Sequence, residues 1–438
     1  MPVRTSCETS FTDRVNGLFG VSESFELPTV LMRKLSDPAE RERLFAGFLG
    51  FAGDLSYDLF IDYFQEGHAD RAKLKQDYTP RELAALVASI VGESASYGDI
   101  CAGSGSLTIA AWNRNPAAFF YCEEYSAHVL PLLLFNLAIR NMDALVVHGD
   151  SLTRECFKAY RLEPGERFSS IREMDGRPDV KVDCIVSNPP YSMKWTPVDD
   201  ERFHGYGLPP ASKSDYAFML HAMSLLDDDG RAVFILPHGV LFRGQKEEGI
   251  RRTLVERGQL ETIIGLPDKL FLNTGIPVCV IETAKTRRDH GDVLFIDASR
   301  DYAKESKRNR LRPEDASRIL TAVQDRSDVP KYAHLATFDE IEENGFNLNI
   351  PRYVDTFEPE PLPDLAGLMR DIAGLNGRIH DTETGLADMV GQLTGFSMDE
   401  LEALHAWKST LVSKRRTSRN CSTSNAPKKV RNTQPALF

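Results

Sequence analysis

Four apolar runs in this chain each stop at a side chain able to hold a ligand. Asp99 closes the first, Glu123-Glu124 the second (after Ala118 to Cys122), Gly149-Asp150 the third (after Leu145 to His148) and Asn188 the fourth (after Val182 to Val186). Short apolar runs of this kind, separated by helical segments, fold as strands of an open α/β sheet. On such a sheet, ligands bind in the crevice beyond the carboxyl ends of the strands. One acid at a strand end is often just a solvated terminus. Four polar ends in succession make a cleft.

The fourth end is the most specific. In Ser187-Asn188-Pro189-Pro190-Tyr191-Ser192 the two prolines forbid a strand from continuing past Asn188, which leaves a rigid tip. The Asn188 amide oxygen and the Pro189 carbonyl can both accept from one amino group, while the Tyr191 ring stacks on a flat base. That suits an exocyclic amine, such as N6 of adenine, held for alkylation by Asn188, Pro189, Pro190 and Tyr191. A plain proline turn with an Asx contact fits the same residues.

The first end carries a glycine turn, Asp99-Ile100-Cys101-Ala102-Gly103-Ser104-Gly105-Ser106, leading into a helix from Leu107. Glycine lets the backbone approach a ligand and aims the next helix's N–H groups at it. Thr108 stands where a dinucleotide fingerprint needs its third glycine. S-adenosylmethionine is the better fit, with Asp99 beside its ammonium and Ala102, Gly103, Ser104 and Gly105 as bare backbone. Glu124, about 25 residues past Asp99, stands where doubly wound folds place the acid that grips ribose hydroxyls. Asp150 is placed to accept from the cofactor's adenine amine. Upstream, Tyr78-Thr79-Pro80-Arg81-Glu82 predicts a capping box, with Thr79 as N-cap, Pro80 at N1 and Glu82 at N3. The Tyr78-Thr79-Pro80 turn is also a candidate lining of the cofactor pocket.

Residues 1–75 read as a small helical domain, with a start at Ser36-Asp37-Pro38 and apolar positions Leu44, Phe48 and Phe51. The sheet domain runs over 76–355, with further strands at 231–236, 261–266, 278–283 and 293–298. Over 361–395 the positions Leu365, Leu368, Ile372, Leu375, Ile379, Thr382, Leu386, Met389 and Leu393 keep a 3-4 spacing, a coiled-coil seam that predicts a partner or an internal helix pair. Residues 396–438 read as a short helix and then a basic, largely disordered tail.

The 438 residues carry a net charge of −12, yet from Lys408 onward there are eight basic residues and no acidic one, leaving about −20 on the rest. A body so acidic binds DNA poorly alone, because phosphate neutralisation supplies most non-specific affinity. The cluster Lys304, Lys307, Arg308, Arg310, Arg312 is its candidate DNA-facing patch. No apolar run approaches the ~18 residues of a membrane helix. The seven cysteines form no CxxC pair, so no zinc site is expected. The N-terminus lacks a signal pattern, and the expected location is the cytoplasm.

From about Leu74 to Val354 the chain resembles the modification (M) subunit of type I restriction-modification systems, the N6-adenine-specific DNA methyltransferases. The resemblance rests on Tyr78-Thr79-Pro80, Asp99 to Gly105, Glu124 and Asn188-Pro189-Pro190-Tyr191. More specific are Lys213-Ser214-Asp215-Tyr216-Ala217-Phe218, Leu236-Pro237-His238-Gly239-Val240-Leu241-Phe242-Arg243-Gly244, Ile264-Gly265-Leu266-Pro267 and Asn347-Leu348-Asn349-Ile350-Pro351-Arg352-Tyr353. Ile100 departs from the family's proline, and the helical N-terminal part is short for it. The resemblance implies a class I methyltransferase (Rossmann-like) α/β fold with a seven-stranded mixed sheet. It also implies S-adenosylmethionine as cofactor and double-stranded DNA as substrate. The partners it implies are a specificity (S) subunit joined through the C-terminal helix, a second copy of this chain and a restriction (R) subunit. A protein glutamine methyltransferase can present the same tip to an amide, and a non-catalytic scaffold subunit of a DNA-defence complex would keep the same fold. The missing third glycine disfavours a nicotinamide-dependent dehydrogenase.

Overall fold

The run Val182 to Ser187 lies in the middle of a sheet with both faces covered, which is why it is apolar almost throughout. The computed structural model describes residues 10–66, 78–271, 274–286, 291–306, 308–356, 364–395 and 397–419. Lys307 and the tail beyond residue 419, both singled out in the sequence, lie outside them.

Four helices come first: α1 (Phe11–Phe19), α2 (Leu27–Leu35), α3 (Pro38–Leu49) and α4 (Leu59–Glu66). The alternating part follows as α5 (Arg81–Val91), β1 (Ser96–Asp99), α6 (Ser106–Trp112), β2 (Phe119–Glu124), α7 (Leu130–Ile139) and β3 (Asp143–Gly149). Next come β4 (Cys156–Glu163), β5 (Ser170–Met174), β6 (Val182–Ser187), α8 (Asp215–Ser224), β7 (Leu226–Pro237), α9 (Lys246–Glu256), β8 (Leu260–Gly265) and β9 (Val278–Ala284). Then β10 (Val293–Asp297), β11 (Ala303–Lys304), β12 (Asn309–Arg310), α10 (Pro313–Asp325), β13 (Ala333–Ala336) and α11 (Phe338–Glu343) close this part. Together these elements form one compact unit, Met1–Phe357. Among the described residues no helix is long and apolar enough to cross a membrane.

The sheet has eleven strands in the order β13-β10-β8-β9-β7-β6-β1-β2-β3-β4-β5. The seven expected strands are its centre, β8-β9-β7-β6-β1-β2-β3, with β9 antiparallel to both neighbours. The expected count was therefore low. The expected short strand at 293–298 is β10, parallel to β8, and the antiparallel strands β4, β5 and β13 extend the two edges. From β1 the chain builds outward through β2 and β3, then returns to lay β6 on the other side of β1. The crevice at this reversal lies between the ends of β1 and β6, where Asp99 and Asn188 stand.

One face of the sheet is covered by α5, α6, α7, α10 and the N-terminal helices, the other by α8 and α9. All ten residues of α7 are buried, as expected of a helix apolar all round. Its Phe135 gathers the rings of Phe19, Phe45, Phe48 and Phe60 at 5.0 to 5.6 Å, mostly edge to face. Such ring contacts contribute about 0.5–1.5 kcal/mol each beyond area burial. They fasten the N-terminal helices to the sheet and deliver Asp58 to the glycine turn. The expected helix start at Asp37-Pro38 is present, with Asp37 accepting from the N–H groups of Ala39 and Glu40 at 2.9 and 3.0 Å.

The second unit holds α12 (Leu365–Gly391) and α13 (Met398–Arg419). The seam helix α12 buries Ala387 and Val390, and it packs on α13. Leu368, Ile372, Leu375 and Ile379 remain exposed within this unit. α13 extends to Arg419, longer than the short helix expected there.

Candidate active site

The Asn188 amide is held at both ends. Its Nδ2 donates to Thr79 Oγ1 at 3.1 Å, and its Oδ1 accepts from the Tyr191 hydroxyl at 2.7 Å. The Tyr191 ring in turn meets Phe271 edge to face at 6.2 Å between centroids. Pro189 is buried and Pro190 exposed. A carbonyl oxygen has two lone pairs, so Oδ1 keeps accepting capacity beyond Tyr191.

Thr79 does not do what its spacing predicted. α5 begins at Arg81 with Pro80 in the N-cap position and no side-chain cap, and Glu82 pairs instead with Arg308 at 2.8 Å. Instead, the buried Thr79 hydroxyl accepts from Asn188, which joins the Tyr78-Thr79-Pro80 turn to the tip. As the acceptor of that bond, the hydroxyl keeps its own proton to donate. Burial pushes the neighbouring Tyr78 phenol well up, with Asp58 and Glu124 adding to the shift.

Across the crevice, Gly103 and Gly105 both take positive φ, +57° and +101°, which favours glycine. A Cβ on Gly103 would meet nothing within 4 Å, so this backbone faces open space. The Gly103 N–H donates to Glu124 Oε2 at 2.8 Å, and Glu124 Oε1 accepts from the Ser126 N–H at 2.7 Å. Asp99 accepts from the Cys101 N–H at 3.2 Å and the Thr108 hydroxyl at 3.4 Å, so Thr108, in the third-glycine position, braces the turn. Burial raises the Asp99 carboxyl to about 7, and it raises Glu124 as well. Two buried acids beside a bare backbone turn with room above it fit a cationic, hydroxyl-bearing ligand such as S-adenosylmethionine. Asp150 spends Oδ1 on the Leu152 and Thr153 N–H groups at 2.8 and 3.2 Å.

Three parts of the site were missed from the sequence. Asp58, wholly buried, accepts from Ser104, from Ser106 at 3.4 Å and from Asn136 at 2.9 Å. Arg140 completes this cluster by donating to the Leu55 and Tyr57 carbonyls at 2.8 Å each. Glu123 is separated from Glu124 and sunk into a second cluster: Arg177 at 2.5 Å, Tyr121 at 2.6 Å and His221 at 3.0 Å. Burial pushes Glu123 up, but His221 and Arg177 outweigh it and hold the carboxyl below the usual range. Third, Tyr125 is 67% exposed directly after Glu124, with its ring 6.1 Å from that of the exposed Phe157. Glu123 and Tyr125 left sequence signals, a strand-end acid and an aromatic ring beside one, whereas their partners and Asp58 did not.

Two features argue against simpler readings. A cavity of about 260 Å³ along α5 and α6 touches Asp58, Thr79 and Ser106, but not Asp99, Gly103, Glu124, Asn188 or Tyr191, so it is not the crevice. The expected basic patch is largely spent within the protein. Arg308 pairs with Glu82, Arg310 with Glu305 at 2.6 Å and Arg312 with Asp315 at 2.7 Å.

A glycine turn after β1, acids after β2 and β3 and an Asn-Pro-Pro-Tyr tip after β6, on this strand order, define a class I methyltransferase fold. The chain belongs to the N-6 DNA Methylase family, whose profile matches residues 52–361. It is 27% identical over 332 residues to the methylase subunit of the type I restriction enzyme MpnII of Mycoplasma pneumoniae, covering 72% of this chain and 59% of that protein. The MjaVIII methylase subunit of Methanocaldococcus jannaschii is 28% identical over 343 residues, 73% of this chain and 56% of the other. The chain thus spans little more than half the length of these relatives. Among solved structures, the methyltransferase subunit of a type I restriction-modification system from Streptococcus thermophilus superimposes with a TM-score of 0.60 at 30% identity, over 79% of this chain and 80% of that one.

Proposed function

We propose that this chain methylates N6 of adenine in double-stranded DNA, as the modification subunit of a type I restriction-modification complex. The observation that carries the reading is the orientation of Asn188. Its amide nitrogen donates to Thr79, and its oxygen, which takes one bond from Tyr191, keeps a second lone pair for a substrate amine. Asp99 and Glu124 hold the cofactor's ammonium and ribose, the 102–105 backbone lies along it, and Tyr125 offers its adenine a flat face. When bound, S-adenosylmethionine supplies the methyl group as a sulfonium electrophile.

Adenine is flipped from the duplex at a cost of a few kcal/mol. Tyr191 stacks on the base, worth ~1–3 kcal/mol. Asn188 Oδ1 and the Pro189 carbonyl accept the two N6 hydrogens, drawing the nitrogen lone pair out of conjugation with the ring. Positioning and oriented dipoles then lower the barrier without a nucleophilic side chain: the N6 lone pair takes the methyl as its bond to sulfur breaks, and the surplus N6 proton is lost to water. A separate specificity subunit reads the sequence, as suits an acidic body in which Arg308, Arg310 and Arg312 of the basic cluster are paired off. The exposed seam of α12 is the surface offered to it, and a second copy and a restriction subunit complete the assembly in the cytoplasm. In this reading Asn188→Ala abolishes transfer and leaves cofactor affinity within a few-fold. Equal loss of both would remove Asn188 from the amine-holding role.

A further inference from the structure

The loop from Ser192 to Ser214, which follows the tip, is closed on itself and pinned at several points. Ser192 N donates to Asp215 Oδ1 at 2.7 Å, Arg243 holds the other Asp215 oxygen at 2.9 Å, and the Ser214 N–H donates to the Met193 carbonyl at 2.9 Å. At mid-loop sits Arg202, its side chain only 2% exposed. All five of its N–H donors are used. Nε and Nη2 grip the two Asp200 oxygens at 2.8 and 2.9 Å, Nη1 reaches the Ser151 carbonyl and His221 Nδ1 at 2.9 Å each, and Nη2 also reaches the Leu152 carbonyl at 2.8 Å. With Nδ1 accepting, His221 is left to donate from Nε2 to Glu123 at 3.0 Å. Ser151 is anchored in turn by its hydroxyl on the Ile100 carbonyl at 2.8 Å, at the end of β1.

We propose that Arg202 is a positioning residue for the transfer, tying the loop after the Asn-Pro-Pro-Tyr tip to the backbone after Asp150 so that the target wall and the cofactor edge are set as one piece. It rests on the function proposed above. Arg202 touches neither ligand in that reading. It acts through Ser151 and Leu152 on the cofactor side and through the loop on the base side. A planar guanidinium with every donor satisfied fixes direction as well as distance, which a lysine at that place would not do.

The experiment uses the full chain with its specificity partner and two substitutions, Arg202→Met and Asp200→Asn. Direct binding of labelled S-adenosylmethionine, binding of the target duplex, and the rate of tryptic cleavage at the exposed Lys194 are each measured. For Arg202→Met the expected results are a roughly tenfold weaker cofactor affinity, cleavage at Lys194 at least about tenfold faster, and DNA affinity within about threefold of wild type. Asp200→Asn shifts the first two the same way by about threefold, and it decides the matter if Arg202→Met does not fold. Unchanged cofactor affinity in folded variants overturns the proposal. So does a parallel loss of cofactor and DNA binding with a lowered melting temperature, which is general destabilisation. A wild-type protein that binds no S-adenosylmethionine would instead overturn the function on which the proposal rests.

Discussion

Thr79→Val is the most telling single substitution, because it changes one hydroxyl to a methyl in a buried place without altering volume. The hydroxyl accepts from Asn188 Nδ2 at 3.1 Å, and the Tyr191 hydroxyl occupies the other end of the amide. A tyrosine hydroxyl both donates and accepts, so Tyr191 alone tolerates either orientation of the amide. A threonine hydroxyl is equally two-way, so Thr79 acts by holding the Nδ2 end of the amide in place against the Tyr191 bond at the other end. Losing that bond forfeits about 1 kcal/mol, and leaving Nδ2 half-buried without its partner raises the cost to about 1–3 kcal/mol. If half of that loss is felt in the transition state, kcat falls by roughly 2- to 13-fold, well short of the loss from Asn188→Ala. Single-turnover methylation at saturating cofactor measures it, with Thr79→Ser expected to restore most of the rate. Cofactor affinity decides between the two roles for Thr79. A rate loss with unchanged affinity supports the amide-holding role. Unchanged kcat in Thr79→Val, or an affinity loss matching the rate loss, would refute it.

Cofactor affinity should depend on pH. Burial raises Asp99 to about 7 in the free protein, and an ammonium partner favours its charged form, so binding expels a proton. Affinity then rises with pH through that value, falling roughly tenfold from pH 8 to pH 6, where only ~10% of Asp99 is ionised. A flat profile in a calorimetric titration would contradict this, and Asp99→Asn should flatten it. Asp58→Ala removes the acceptor of the Ser104 and Asn136 bonds and strands the buried Arg140, whose own pKa burial lowers to about 10. The expected cost is ~3 kcal/mol, seen as a melting temperature lower by roughly 5–10 °C together with weaker cofactor binding. Ile372→Asp lies on the exposed seam of α12, so it should leave melting and cofactor affinity unchanged while abolishing co-purification with the specificity partner.

The parts of this fold that were legible in the sequence are those where one residue's chemistry meets a strand end. Asp99, Glu124, Asp150 and Asn188 follow runs that pack in the sheet centre, and two prolines after Asn188 allow only one outcome. Among the strands that escaped notice, β5 is an edge strand with no buried residue and β4, beside it, buries only Ala159, Tyr160 and Leu162, so with Lys158, Arg161, Glu163 and Arg172 they look like loop. Asp58, Arg202 and His221 escaped for another reason. Each works through partners 19 to 98 residues away in sequence, among them Ser104, Ser151 and Glu123, and no local pattern announces such a partner. Thr79 was noticed, but for the wrong partner, since the capping box that its spacing suggests lost to the amide of Asn188. The cluster from Lys304 to Arg312 reads as a free basic patch only while Glu82, Glu305 and Asp315 are out of sight.

The central claim is that Asn188 presents adenine N6, and the identity of the methylated atom tests it most directly. The chain is incubated with methyl-labelled S-adenosylmethionine and duplex DNA, with and without its specificity partner, and the DNA is then digested to nucleosides. Label is expected in N6-methyl-2′-deoxyadenosine of the DNA when the partner is present, and none with Asn188→Ala. Label on glutamine of a protein, on another base, or equally with the Asn188→Ala variant would contradict it.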